Sequence, residues 1–373
     1  NSSFMNLISD QNTDFSRYSF FYANFLKKNS QTNKALEIVD LSLKTVPRNL
    51  ILLQLKEDIK NNSNFFFNEF DCRNLTNVAA EILYILANAL SSQSSYTLSN
   101  FYLNLSKYLN QNFKSFDSLY AENFYMMNKL NLSKNIYKSF IDKGSIYSWH
   151  ASKEIAKILI EQNKTTESLN FLKKNFNNFQ SPNINQIFDY ARFLKNNEKF
   201  DEAIKYYTKV LNLIDKKHYL YPKATEGRGV SYERIGKWEK AEKDLLNSLS
   251  VSPEQAYVIN YLAYSWIEKG VNIEKSLEML KKANDLKKND GYIVDSLGWA
   301  LFKLERYKEA EKYLRLAVTL MPSDPIVNDH YGDVLWMNNE KIKARYYWHY
   351  VLNLEKTEEK LKKIAKNKTV FGL

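Results

Sequence analysis

Apolar side chains recur along this chain at three- and four-residue intervals, and small side chains recur on top of them at a longer period. Leu297, Leu301, Leu304 and Tyr307 mark the buried stripe of one helix, and Ala310, Leu314, Ala317 and Val318 that of the next. Stripes with the helical period predict amphipathic helices, each of which must bury a face against a neighbour. Gly298, Ala310, Ala317 and Pro322 are spaced by 12, 7 and 5 residues, and Gly229, Ala241, Ser248 and Pro253 repeat that spacing. Gly332, Ala344 and Val351 each follow their counterparts by 34 residues. A small residue on a first helix lets the second helix approach closely, small residues on the second admit the next pair, and the proline ends the pair.

Upstream the triplet persists with falling fidelity: Ala263, Ser276, Ala283; Ala191, Ala203, Val210; Ala156, Ser168, Asn175; Ala121, Ser133, Phe140; Ala87, Ser99, Ser106; Ala23, Ala35, Ser42. Steps stay at 34 or 35 residues from Ala87 onward, apart from a stretch at Asp215 to Pro222. That stretch adds about four residues between pairs, where a longer loop is cheap in entropy. A one-residue insertion at Gly270-Val271-Asn272 is similar. From Ile51 to Lys56 an amphipathic helix is followed by Asn-rich and aromatic residues through Phe67, where a second helix is due, so the repeat is broken there. Thr357 to Lys366, with Leu361, Ile364 and Ala365 on one face, reads as a polar helix that closes the last apolar surface.

The run Val294-Asp295-Ser296-Leu297-Gly298-Trp299-Ala300-Leu301, followed by Ala310, Leu314, Ala317 and Pro322, resembles the tetratricopeptide repeat (TPR), with Val and Leu replacing two aromatics. The resemblance implies an all-α fold, a TPR α-solenoid in which helical hairpins stack as a right-handed superhelix. About nine repeats are expected. Residues 1–147 would form degenerate N-terminal hairpins, 148–354 the regular array, and 355–373 the capping helix and tail. A generic helical bundle with fortuitously aligned small residues is the competing reading, and matching triplets over so much of the chain count against it.

In this family the first helix of each hairpin lines a concave face, which receives residues three before, one after and four after the small residue. By that rule the C-terminal groove holds Asn260, Tyr264 and Ile267, then Asp295, Trp299 and Phe302, then Asp329, Asp333 and Trp336. Aromatics alternating with carboxylates suit an extended peptide or a partner helix. Packing between hairpins is the alternative role for Trp299 and Trp336. Lys153 and Lys157, followed by Phe188, Arg192 and Lys195, read as a basic stretch able to hold acidic groups. The basic and Asn set with which Hsp70/Hsp90-type TPR clamps grip a terminal carboxylate is absent, which argues against a cytosolic co-chaperone.

Composition narrows the picture further. Hydrophobic residues make up 44% and charged residues 25%, which is too apolar for a disordered chain, and 9 Gly with 6 Pro are too few for the turns of an all-β fold. The formal charge of +11 raises a nucleic-acid-binding helical-repeat protein as the alternative function, but most Lys residues are interleaved with Glu or Asp on helical faces. Cys72 is the one cysteine, which excludes an internal disulfide. No apolar run approaches the roughly 20 residues of a membrane span. His150, His218, His330 and His349 lack metal-ligand spacing, and Asp329-His330, adjacent on a helix, point in different directions. No phosphate loop or nucleophile elbow is present, so neither catalytic residues, a metal, a cofactor nor a small-molecule substrate is expected.

Asp290-Gly291-Tyr292-Ile293-Val294-Asp295 and its continuation to Ala300, with Tyr261 to Trp266 before it and Asn328 to Asp333 after it, is similar to the C-terminal repeats of proteobacterial envelope TPR lipoproteins. These act as adaptors of periplasmic C-terminal processing proteases. The resemblance implies a non-catalytic scaffold or adaptor whose partner is a protein or peptide, such as a periplasmic protease. It also implies a place in the periplasm or cell envelope rather than the cytoplasm, with peripheral membrane association through an anchor preceding Asn1. A subunit whose chemistry lies outside these residues is a third reading.

Overall fold

The computed structural model describes residues 15–64, 70–112 and 115–373, and among these it contains twenty α-helices and no strand. Phe65 to Phe67, in the expected break, lie outside the described residues. The chain forms two compact units, Asn1–Gln186 and Ile187–Leu373.

In unit 1, α1 (Ser16–Lys28) and α2 (Thr32–Thr45) pair, and α3 (Leu50–Lys60) packs on both. Phe20, Leu26, Ile38, Val39, Leu52 and Leu55 form their shared core. Three hairpins follow: α4 (Leu75–Ser92) with α5 (Tyr96–Leu109), α6 (Ser115–Met126) with α7 (Leu130–Lys138), and α8 (Ser145–Glu161) with α9 (Thr165–Asn177). The helix expected from Ile51 is thus present as α3, and it packs against α8, far along the chain. There the Ile146 amide donates to Gln54 Oε1 (3.1 Å) and Ser145 Oγ to Glu57 Oε2 (2.6 Å). Gly144 starts α8 at φ +88° with no room for a Cβ against the Gln54 side chain.

Unit 2 begins within α10 (Ile184–Asn196), which pairs with α11 (Phe200–Leu213) through the ring contacts Phe188–Tyr207 and Tyr190–Tyr206. Then come α12 (Tyr221–Arg234) with α13 (Trp238–Val251), α14 (Ala256–Glu268) with α15 (Ile273–Leu286), α16 (Gly291–Lys303) with α17 (Tyr307–Leu320), and α18 (Pro325–Met337) with α19 (Lys341–Asn353). The stretch Asp215 to Leu220 lies between pairs. The final helix, α20 (Glu359–Phe371), packs on α19. It starts later and runs further than the sequence pattern indicates; Ala365 is buried on it, whereas Ile364 is exposed.

The small residues sit where the hairpins touch. A Cβ on Gly298 would lie 2.6 Å from Leu314 Cγ and 3.1 Å from its backbone N. Seven residues after each small residue the backbone turns left-handed: Ser30, Ser94, Asn128, Asn163, Glu198, Gly236, Gly270, Glu305 and Asn339 all have positive φ. That conformation stops the first helix and reverses the chain. Leu304 and Tyr307, which the periodicity alone assigns to the first helix, therefore fall at the C-cap of α16 and the first position of α17.

The degenerate repeats keep the geometry by a different route. Where Ser replaces Ala at the first contact position of the second helix in unit 1, its hydroxyl donates to the carbonyl of the small residue opposite, Ser99 to Ala87 (2.7 Å), Ser133 to Ala121 (2.8 Å) and Ser168 to Ala156 (2.6 Å), whereas Ser276 in unit 2 turns back to Asn272 O of its own helix (2.9 Å). Each buried hydroxyl is satisfied without disturbing the close approach.

Candidate protein-binding surface

The groove rule selects one face of each first helix, and along most of unit 2 this face is spent on joining neighbouring repeats. Between α10 and α12, Lys195 Nζ lies 3.4 Å from Glu226 Oε1. From α14 to α16, Trp299 Nε1 donates to Glu268 Oε1 at 2.8 Å. Between α16 and α18, His330 Nδ1 is 3.0 Å from Asp295 Oδ2, and the imidazole stacks on Trp299 with centroids 3.9 Å apart. Lys368 on α20 reaches back to α18, 2.7 Å from Asp329 Oδ2 and 2.7 Å from Asp333 Oδ1. The α20 helix thereby takes the place that a further first helix would occupy.

Asp295, Trp299, Asp329 and Asp333 are accordingly buried, with intramolecular partners. Trp348 Nε1 also donates to Asp333 Oδ1 (2.9 Å). Burial and then the neighbouring Asp329 push the Asp333 carboxyl up to about 6, against the pull of Lys368 and His330. For His330, burial disfavours the cation, but Asp295 and the two other aspartates outweigh it and raise its pKa. Phe302 is half-buried and stacks on Trp299 at 4.7 Å. Half-buried Trp336 packs on Trp348 at 5.5 Å with the Arg345 guanidinium 5.1 Å from its ring. Both tryptophans are therefore engaged in packing between helices.

Asn260 and Tyr264 are half-buried on α14, and Asn260 Oδ1 is buried without a hydrogen-bond partner. Arg192 is exposed and pairs with Asp189 at 3.3 Å. Lys153 and Lys157 belong to α8 in unit 1, where Lys157 Nζ lies over the Tyr125 ring at 4.1 Å. The five residues of the basic stretch are therefore divided between two units, and Phe188 is a core residue.

What stays open in unit 2 lies on α12 and α13 and at other positions of the first helices that the pattern singled out. A cavity of about 420 Å³ is lined by Glu226 and Val230 of α12, Leu245 of α13, and Ala256, Tyr257, Val258 and Tyr261 of α14, with Gln255. Applying the groove rule to Gly229 selects Glu226 and Val230, so the signal was in the sequence. Tyr257, Tyr292 and Ile326, each six residues before the small residue of its helix, are 54%, 59% and 52% exposed. Among the described residues no group of three His, Cys, Asp or Glu side chains is placed to hold a metal ion. No helix among them is long and apolar enough to cross a membrane.

A helical-hairpin repeat protein with small residues at fixed contact positions is the class that this fold defines. The tetratricopeptide repeat family profile matches residues 158–357, just over half of the chain, and the chain belongs to that family. The TPR repeat-containing protein PA4667 of Pseudomonas aeruginosa is 28% identical over 150 residues, which are 38% of this chain and 23% of that protein, so the match spans less than a quarter of the relative's length. Among solved structures, a tetratricopeptide repeat protein from Parabacteroides merdae has a TM-score of 0.48 at 18% identity, covering 60% of this chain and 85% of that one. MamA from Desulfovibrio magneticus has a TM-score of 0.41 at 14% identity, covering 48% of this chain and 99% of that one. TPR repeats indicate a protein-interaction scaffold.

Proposed function

We propose that this chain is an adaptor without chemistry of its own, which takes up a polypeptide segment over α12 and α14. The observation that carries this reading is the cavity between those helices, walled by Val230, Leu245, Val258 and the rings of Tyr257 and Tyr261. About 420 Å³ lies within the size range of recognition pockets, and exposed tyrosines supply large contact area for little lost rotamer freedom. Tyr292 and Ile326 extend the apolar surface at the matching position of the next two first helices. The aspartates and tryptophans further along support it by holding those helices rigidly in register.

The finer reading is an envelope adaptor that brings its partner to a C-terminal processing protease; it rests on the similarity of the segments around Tyr261, Asp290 and Asn328 to that group. A crosslinking pulldown from the source organism with the full chain tests the binding reading. Partners retained after nuclease treatment and lost on Tyr257→Ala with Tyr292→Ala are the expected result. Loss of every partner on nuclease treatment, or full retention by the double variant, would overturn it. Recovery of the native protein only in the cytosolic fraction would remove the envelope role and leave the scaffold standing.

A further inference from the structure

Pairing across the described first helices leaves the carboxylate of Glu122, in unit 1, without a partner. Glu122 follows Ala121 on α6 as Asp333 follows Gly332 on α18, so the two occupy the same register position. Asp333 receives the ammonium group of Lys368. Glu122 has no hydrogen bond or ion pair with any described residue, and the charge that bears on it is another carboxylate, Glu154 on α8.

Its surroundings are a built cavity of about 490 Å³. The N-terminal helices form one wall through Arg17, Tyr18, Leu50 and Ile51, and the repeat helices form the other through Tyr84, Ile85, Ser118 and Tyr147. The Glu122 side chain is exposed where it lines this cavity, with the neighbouring protein displacing part of its hydration. Burial and then Glu154 raise its pKa, as expected of a carboxylate without a counter-ion. Arg17 does not neutralise it, because its guanidinium makes a two-point pair with Glu81, Nη2 to Oε2 at 2.6 Å, and lies 3.9 Å from the Tyr84 ring centroid. Lys153 and Lys157 act on Glu154 instead.

We propose that this cavity receives a lysine side chain from a partner polypeptide, with Glu122 as its counter-ion and the rings of Tyr84 and Tyr147 along its methylenes. A lysine is favoured over a free amine because the equivalent carboxylate in unit 2 is already satisfied by a lysine projecting from a helix. The exposed Tyr18 and Ile85 at the rim supply surface for the residues flanking that lysine. An alkylammonium matches the site in both respects, with an apolar stem for the rings and a point charge for the carboxylate. This site is separate from the α12–α14 cavity.

Calorimetric titration of the full chain with the peptide acetyl-Leu-Lys-Leu-amide tests the assignment, with the norleucine peptide and 1,5-diaminopentane as comparisons. Glu122→Gln is nearly isosteric and breaks no existing pair, so it should melt at or above the wild-type temperature. The expected result is lysine-peptide binding that weakens at least tenfold in Glu122→Gln and to the same extent with norleucine in place of lysine. Tyr257→Ala with Tyr292→Ala should leave it unchanged, which keeps this site distinguishable from the one in unit 2. Equal binding by wild type and Glu122→Gln, equal binding of the norleucine peptide, or binding of the diamine but not the peptide would each overturn the proposal.

Discussion

His330 on α18 turns Nδ1 toward the Asp295 carboxylate of α16, 3.1 and 3.0 Å from its two oxygens, and so joins two successive repeats through a buried ionisable pair. Asp329, Asp333 and, through them, Lys368 act on the same imidazole. The folded state holds the His330 proton more tightly than the unfolded chain. Its contribution is therefore complete below the ordinary value of 6.5 and is lost as pH rises through the higher folded value. Asp333 works in the same direction: its carboxyl is raised from 3.8 to about 6, so stability falls across that interval as pH rises. The melting temperature of wild type minus that of His330→Gln should shrink steadily from pH 6 to pH 9. A difference that grows over that range would show that the pair is not held as described.

Gly298 faces Leu314 too closely for any side chain, and the crowding involves backbone as well as a leucine tip. Ala at this position, common in the other repeats, must push α16 and α17 apart. Gly298→Ala should destabilise by about 1–3 kcal/mol in chemical denaturation, the usual range for overpacking a filled contact. An unchanged midpoint would mean that the hairpin opens freely.

Glu305 sits at the left-handed position that Gly236 and Gly270 fill in earlier hairpins, with φ of 59°. A β-carbon is unfavourable there, and glycine is not. Glu305→Gly should raise stability by about 0.5–1 kcal/mol despite introducing a more flexible residue. Destabilisation would indicate that the Glu305 side chain makes a contribution of its own.

The hydroxyl of Ser168 donates to Ala156 across a buried hairpin contact at 2.6 Å. Removing it in Ser168→Ala leaves a carbonyl that retains its place in the helix, so the loss should be about 0.5–1.5 kcal/mol. Ser168→Val, which adds bulk where the helices touch, should lose clearly more. Melting curves of the two variants rank them, and equal values would place the serine outside the tight contact.

The hairpins were legible because close helix approach demands small residues, and small residues keep their spacing even where Ser99, Ser133 and Ser168 stand for alanine. The turn at the seventh position is legible afterwards but carries no fixed residue, since Ser, Asn, Gly and Glu all occupy it. Register also identified which face Asp295, Asp329 and Asp333 share. It did not reveal that His330 and Lys368 bury those aspartates, because pairing across repeats depends on how consecutive first helices align and not on position within one of them. The return of α3 onto α8 was illegible for the same reason: Gln54 and Gly144 are 90 residues apart, and nothing local marks either as a partner.

Lys368 places its ammonium between two buried carboxylates, 2.7 Å from Asp329 Oδ2 and 2.7 and 2.8 Å from the oxygens of Asp333. Lys368→Met keeps much of the apolar stem but leaves the aspartates facing each other without the ammonium between them, and only His330 beside them. Removing one partner of a buried ion pair typically costs about 3 kcal/mol or more, so unit 2 should weaken by that order at pH 7.5. Asp333 already titrates near 6, and losing the cation moves it higher, so at pH 5 it takes up a proton and the repulsion disappears. The deficit of Lys368→Met against wild type in urea denaturation should therefore be markedly smaller at pH 5 than at pH 7.5. Adding Asp333→Asn to Lys368→Met should recover part of the loss at the higher pH and little at the lower. A deficit independent of pH, unaffected by Asp333→Asn, would mean that Lys368 holds α20 by packing alone.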